Sequence, residues 1–283
     1  MSAPAGPTPL ALPGAAGVAL SGEELGAGPT LVLLHGLSAT RRNVLQGSRY
    51  LARNGYRLIA YDARGHGSSA PAQDRAAYEY ADQLRDLEQV LDELDLERAV
   101  LVGSSMGAAT ATAFALEHPD RVPALVEITP AYTGARTTAV ELEVWERLAE
   151  ALADGVERFV DVAVGDQVPE RWREAAREAT RQRMVRHEHL DAVADAVRVV
   201  PRSTAFDGLA PLEGLRVPTL VIGSRDEGDA LHPLAVAQEY AERIPQAEFV
   251  VEAEGESPLA WRGAALSKAI AGFLERSGVP PQA

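Results

Sequence analysis

The sequence predicts an α/β fold in which helices flank a mostly parallel sheet and one all-helical segment interrupts the core. Short apolar runs recur along the chain, helical patterns separate them, and this alternation breaks only once. Runs that are apolar on both faces are typical of parallel strands, because helices cover both sides of such a sheet. We therefore expect right-handed strand–helix–strand units in a doubly wound sheet.

Six apolar runs are predicted strands, and five helical patterns lie among them. The strands cover residues 30–34, 57–61, 99–102, 124–128, 218–222 and 248–251. The helices cover residues 43–54, 80–94, 108–118, 233–244 and 264–276. Functional residues of doubly wound sheets collect beyond the carboxyl ends of the strands. Five polar side chains fall there, namely His35, Asp62, Ser105, Asp226 and Glu256.

The alternation breaks between residues 131 and 206, where helical stretches rich in Glu and Arg replace the buried strands. These stretches cover residues 138–153, 170–186 and 190–199. An all-helical insertion after the fourth predicted strand is expected to cover the carboxyl edge of the sheet as a cap. The predicted organisation is a flexible N-terminal arm (1–16), a core (17–130 and 207–283) and the helical cap (131–206).

Composition excludes several classes of function. The 283 residues include no cysteine, which excludes disulfides, zinc–thiolate sites and a cysteine nucleophile. The net charge of −14 disfavours nucleic acid and anionic membranes as partners. Residues 1–16 lack the regions of a signal peptide, and no apolar run reaches the roughly 20 residues of a spanning helix. We expect a cytoplasmic protein that binds a small-molecule substrate, as a monomer or a homodimer.

The most informative motif is Gly103-Ser104-Ser105-Met106-Gly107, between an apolar run and an alanine-rich helical pattern. A serine at the centre of Gly-x-Ser-x-Gly in this context is typical of a nucleophile elbow. Such a turn holds the Ser105 hydroxyl clear of the sheet. It also places the Met106 amide at a helix N-terminus, where it can donate to an oxyanion. The alternative is an ordinary strand-to-helix turn, since Gly and Ser are common in turns.

Three further motifs each follow a predicted strand. They are His35-Gly36-Leu37, the Asp-Ala-Arg-Gly-His-Gly-Ser-Ser stretch at 62–69, and Gly223-Ser224-Arg225-Asp226. Together with the elbow, in this order and at these separations, they resemble the α/β-hydrolase superfamily with a helical cap, over residues 17–277. The resemblance implies that the Leu37 amide is a second oxyanion donor and that Asp226 carries the triad acid.

The chain departs from this pattern at one position. Glu256 stands where the superfamily carries its catalytic histidine. A serine nucleophile needs a general base, and a lone carboxylate with a pKa of about 4.3 is a poor one. His232, on the loop that carries Asp226, is the best-placed histidine to act instead. We predict an exchanged triad of Ser105, His232 and Glu256, in which Asp226 and Asp229 compete with Glu256 as the orienting carboxylate.

The alternative for His232 is that it merely precedes a helix and faces solvent. The other five histidines are expected to have structural roles. His35 and His66 are expected to shape their turns, and His118 to end a helix. His187 and His189 are expected on an exposed turn of the cap.

The favoured function is a serine hydrolase acting on a small carboxylic ester or related acyl compound. The first alternative is a small-ligand-binding or weakly active protein on the same fold, because the usual histidine is missing. The second is a cofactor-free lyase, C–C hydrolase or perhydrolase. No cofactor or metal is expected, since the chain has neither a dinucleotide glycine fingerprint nor metal-ligand spacing. Six arginines between residues 171 and 186 suggest either an anionic substrate or solvated helix faces.

Overall fold

The computed structural model describes residues 6–135, 137–229, 231–253 and 261–282. Within these ranges, eight strands form one sheet in the order β1-β2-β4-β3-β5-β6-β7-β8. The pairs β1–β2 and β2–β4 are antiparallel, and the other pairs are parallel. The strands are β1 (Thr8–Pro13), β2 (Ala19–Gly26), β3 (Thr30–Leu34), β4 (Arg57–Tyr61), β5 (Val100–Ser104), β6 (Leu125–Ile128), β7 (Thr219–Gly223) and β8 (Ala247–Val251).

Helices cover both faces of the sheet. Alternate residues of β3 show why: Leu31 and Leu33 pack into one apolar cluster, whereas Val32 and Leu34 pack into the other. One cluster includes side chains of the helices at 80–93, 106–117 and 234–243, and the other includes side chains of the helices at 50–53 and 263–276. The helices are α1 (Tyr50–Arg53), α2 (Tyr80–Glu93), α3 (Met106–Glu117), α4 (Ala139–Ala153), α5 (Val156–Ala163), α6 (Glu170–Met184), α7 (Leu190–Val199), α8 (Leu234–Arg243) and α9 (Gly263–Arg276).

The N-terminal region differs from the expectation of a flexible arm over residues 1–16. Thr8–Pro13 forms β1 and pairs antiparallel with β2, which pairs in turn with β4. The strand was not predicted because the segment is rich in alanine and proline, which are uncommon in strands. Proline is tolerated here because β1 is an edge strand, where a missing backbone N–H need not break a ladder hydrogen bond.

The helix predicted over residues 43–54 is much shorter in the structure. Only Tyr50–Arg53 is α-helical, and Arg41–Asn43 forms a 3₁₀ turn. Gln46 and Gly47 lie between them with φ angles of 50° and 70°. Such left-handed backbone conformations are incompatible with a continuous right-handed helix.

The helical insert (α4–α7) lies between β6 and β7 in the chain. Thr138 begins it with a capping box, in which its hydroxyl accepts a hydrogen bond from the Glu141 amide. The insert has an apolar cluster of its own, formed by residues of α4, α5, α6 and α7, and Leu37 from the turn after β3 packs against it. The insert therefore contacts the carboxyl end of β3. Helix α5 was not among the predicted elements. No helix in the described part of the chain has the length and apolarity to cross a membrane.

Candidate active site

Ser105 lies on a sharp turn between β5 and α3. Its backbone has φ 52° and ψ −111°, a conformation that residues other than glycine rarely adopt. A Cβ atom on Gly103 would lie 2.3 Å from the Gly107 carbonyl oxygen, and one on Gly107 would lie 2.1 Å from the Leu34 carbonyl oxygen. Both glycines are thus required for the close approach of strand and helix. The chain makes the strained strand-to-helix turn that the motif predicts.

The turn after β3 passes directly beside Ser105. A Cβ atom on Gly36 would lie 3.2 Å from the Cβ and 3.8 Å from the Oγ of Ser105. The amides of Leu37 and Met106 therefore lie near the serine, and neither donates a hydrogen bond to any acceptor in the described residues. Met106 also begins a helix of 12 residues, whose dipole favours negative charge at this end. Unengaged amides beside a helix N-terminus are available to an anionic ligand.

His35 and His66 hold the backbone of their turns, as predicted. The Nε2 atom of His35 accepts a hydrogen bond from the Ala63 amide at 2.8 Å, and that of His66 accepts one from the Ser38 amide at 3.3 Å. Burial lowers the pKa of His35 to about 3, helped by the neighbouring His66 ring, and burial also lowers the pKa of His66. Both rings are therefore neutral acceptors, and neither is hydrogen-bonded to Ser105.

His187 is buried, so its expected place on an exposed turn is wrong. Its Nδ1 atom accepts a hydrogen bond from the Gly67 amide at 2.9 Å, and its Nε2 atom donates one to the Ser38 carbonyl at 3.2 Å. Burial lowers its pKa to about 3, with a further contribution from His66. The His66 ring lies 5.2 Å from that of His35 and 5.6 Å from that of His187. The three rings connect the end of α6 to the turns after β3 and β4.

The loop after β7 carries the other predicted site residues. We call residues 224–229 and 231–233 the acid loop. The Asp226 carboxylate accepts a hydrogen bond from the Gly228 amide at 2.8 Å. The Nδ1 atom of His232 donates to the Asp229 carboxylate at 2.7 Å, and the side chains are 20% and 42% exposed respectively. Burial acts to raise the pKa of Asp229, but His232, the Leu231 amide and the charge of Arg183 together outweigh it and lower that pKa overall.

Only part of the predicted exchanged triad falls within the described residues. Glu256 lies outside them, so its predicted contact with His232 stays a prediction. In the described part of the chain, the carboxylate hydrogen-bonded to His232 is that of Asp229. No hydrogen bond joins His232 to Ser105 there. The pairing of Asp229 with His232 is one of the alternatives that the sequence left open.

Sequence reasoning missed Glu252, a buried carboxylate that follows β8. It accepts a hydrogen bond from the Ser224 hydroxyl at 2.7 Å and another from the Arg225 amide. The Trp261 indole donates to the Gly223 carbonyl at 2.7 Å. The Glu252 contacts anchor the start of the acid loop to the end of β8, and the Trp261 contact anchors the end of β7 to the segment before α9. The one available signal was an acidic residue directly after an apolar run. No group of three or more metal-ligating side chains occurs in the described residues.

Comparison with known proteins places this geometry in a family. Residues 29–262 match the family model of the α/β-hydrolase fold. A Variovorax paradoxus (strain S110) protein named as a carbamate hydrolase is 30% identical over 80% of this chain and 84% of its own length. An epoxide hydrolase of Caballeronia sordidicola is 36% identical over a region that makes up 48% of this chain and 40% of that protein. The chain thus spans half or less of the length of several curated relatives that it matches.

Solved structures show the same fold over nearly the whole chain. A thermophilic esterase from Thermogutta terrifontis aligns with a TM-score of 0.78 and 24% identity over 96% of this chain and 99% of that one. The enol-lactonase of Burkholderia xenovorans LB400 aligns with a TM-score of 0.74 and 23% identity over 95% of this chain and 100% of that one. The family match and these folds agree with the four motifs and the mostly parallel sheet: the chain belongs to the α/β-hydrolase family.

Proposed function

We propose that this protein is a serine hydrolase acting on a small carboxylic ester or related acyl compound. One observation supports this most strongly. Ser105 is held at positive φ on its elbow, beside the amides of Leu37 and Met106, which have no acceptor in the described residues. A strained serine and two unengaged donors at one point are what acyl transfer needs.

In the proposed reaction, Ser105 Oγ attacks the ester carbonyl carbon and its proton passes to the Nε2 atom of a histidine. The carbonyl oxygen becomes an oxyanion, which accepts hydrogen bonds from Leu37 and Met106. The intermediate then expels the alcohol, which takes the proton from the histidine, and leaves an acyl-serine. Water repeats the sequence and releases the carboxylic acid.

His232 is the proposed base. Its Nδ1 atom is engaged by Asp229, which fixes the ring and leaves Nε2 for proton transfer. A carboxylate in this position also stabilises the imidazolium that forms during the reaction. The proposal requires Nε2 to come within hydrogen-bonding distance of Ser105 Oγ when substrate is bound. Asp226 and Glu256 are the other candidates for the orienting carboxylate.

The names of relatives support hydrolysis without specifying a substrate. They include epoxide hydrolases and a carbamate hydrolase, and solved neighbours include esterases and an enol-lactonase. The competing hypothesis is a small-ligand-binding protein on this fold. It is favoured by one observation: in the described residues, no hydrogen bond joins Ser105 to a histidine.

A serine-directed probe separates these two hypotheses. The protein is treated with a fluorophosphonate, and the modified residue is located by mass spectrometry, with Ser105→Ala as the matched control. Release of p-nitrophenol from p-nitrophenyl butyrate is measured in parallel. We expect labelling at Ser105 and hydrolysis by the wild-type protein only. A folded protein that is neither labelled nor active would favour the ligand-binding hypothesis.

A further inference from the structure

Helix α6 contacts both loops of the proposed site. Near its N-terminus, Arg171 forms an ion pair with Glu227 of the acid loop, and the Trp172 indole lies 3.4 Å from the same carboxylate. At its C-terminus, Met184 belongs to the apolar cluster on which Leu37 packs. The His187 side chain, just beyond the helix, donates to the carbonyl of Ser38. The helix therefore runs from the acid loop to the turn that carries the proposed oxyanion donor.

Arg183 lies near the end of this helix and differs from the arginines of the insert that pair with carboxylates. Its side chain is half-buried, its Nε atom is fully buried, and no hydrogen bond or ion pair joins it to a described residue. Five other arginines of the insert form ion pairs with carboxylates. These are Arg171 with Glu227, Arg173 with Asp166, Arg177 with Asp161, Arg181 with Glu157, and Arg198 with Glu146.

The Asp229 carboxylate interacts electrostatically with Arg183, but no ion pair joins the two side chains. That carboxylate is already hydrogen-bonded to His232 and to the Leu231 amide. Burial lowers the pKa of Arg183, and Asp229 only partly opposes this effect. Only the Nε atom is fully buried without an acceptor, so an anion can reach the terminal nitrogens, and an ion pair there would offset the cost of the buried N–H group.

We propose that Arg183 binds a carboxylate carried by the substrate, so that the enzyme prefers acyl compounds with a free carboxylate. This inference rests on the proposed function, since it assigns a substrate class to the same site. The planar guanidinium matches a carboxylate with two parallel N–H···O bonds, and the low local dielectric strengthens both. It belongs to the helix that contacts the acid loop and packs with Leu37, and these two segments carry the proposed base and one proposed oxyanion donor.

Two esters of similar length test the preference. Mono-p-nitrophenyl glutarate carries a carboxylate, and p-nitrophenyl valerate does not. The variants are Arg183→Met and Arg183→Lys, with Arg186→Met as the control, because Arg186 is exposed near the same helix end. We expect Arg183→Met to lower kcat/KM for the glutarate ester at least about 10-fold, as for loss of one partner of a buried charge pair. Its kcat/KM for the valerate ester should change by less than about 3-fold, whereas Arg183→Lys should retain part of the preference and Arg186→Met all of it.

The outcomes separate this inference from the proposed function. Equal loss on both esters, or no preference in the wild-type protein, overturns the role of Arg183 and leaves the hydrolase intact. If neither ester is hydrolysed, the proposed function fails, and titration calorimetry with glutarate then decides the inference. Binding that weakens in Arg183→Met supports it, and absence of binding to wild type overturns it. Circular dichroism checks folding, and Arg183→Lys replaces Arg183→Met if the latter does not fold.

Discussion

The turn after β3 and the acid loop after β7 are held in place in different ways. Around the turn after β3, three buried neutral histidines accept hydrogen bonds from backbone amides, and one of them also donates to a backbone carbonyl. In the second, Asp229 and His232 form a partly exposed pair three residues apart. Oxyanion donors must be preorganised, because their benefit depends on not moving during the reaction. The base has to approach the serine only when substrate is bound, so a less constrained loop is compatible with its task.

The largest expected effect concerns the acid loop. His232→Ala should lower kcat for a p-nitrophenyl ester by about 100-fold or more, because loss of a general base usually has that effect. The free energy of unfolding should change by less than about 1 kcal/mol, since the Asp229 carboxylate that pairs with His232 is 42% exposed. Steady-state kinetics and urea denaturation measure the two quantities. Wild-type activity in this variant would eliminate His232 as the base and leave a water activated by Glu256.

Around the turn after β3, substitution is expected to lower the free energy of unfolding markedly. His187→Leu leaves the Gly67 amide and the Ser38 carbonyl without their buried partner, which should destabilise the fold by about 2 kcal/mol. His118→Leu is the control, because His118 pairs with Glu88 at the surface, where such a pair contributes less than about 1 kcal/mol. Urea denaturation compares the two variants. Equal stability of both would show that the histidine network is not what holds this turn.

The two loops also differ in how far the sequence predicted them. The elbow was predicted because Gly103, Ser105 and Gly107 are close in the chain and each is required by local geometry. His187 was misplaced because its partners lie 120 and 149 positions away, a pairing that no local pattern reveals. Strand β1 was missed because an edge strand tolerates the prolines that usually signal a loop.

Three matched variants test which carboxylate orients His232. Asp229→Asn should lower kcat about 10-fold, because a neutral amide does not stabilise the imidazolium of His232. Asp226→Asn and Glu256→Gln are compared with it. Asp229→Asn should lower kcat much less in a His232→Ala background, since the effects of substituting residues that act as a unit are not additive. If Glu256→Gln is the most damaging of the three, the exchanged triad with Glu256 replaces the pairing with Asp229.

A further expected effect is a pH dependence of stability. The pKa of His35 and that of His187 are about 3 in the folded protein, against 6.5 for an ordinary histidine. The unfolded chain therefore binds protons that the folded chain does not between these values, and stability falls as pH drops from about 6.5 toward 3. Glu127, whose pKa burial raises, acts in the opposite direction.

The comparison with His187→Leu isolates the histidine contribution to that pH dependence. One fewer group with a lowered pKa should make the slope shallower by up to about 1.4 kcal/mol per pH unit. Urea denaturation at a series of pH values between 4 and 7 gives both slopes. Parallel curves for the two proteins would mean that His187 is protonated equally in the folded and unfolded states.

The central claim is that Ser105 is an activated nucleophile, and trapping the acyl-enzyme tests it most directly. The protein is mixed with p-nitrophenyl butyrate, quenched with acid during turnover, digested and mapped by mass spectrometry. We predict a butyryl adduct on Ser105 that is absent from Ser105→Ala. Steady release of p-nitrophenol by wild type and Ser105→Ala alike, with Ser105 unmodified in the quenched wild-type protein, would contradict the account.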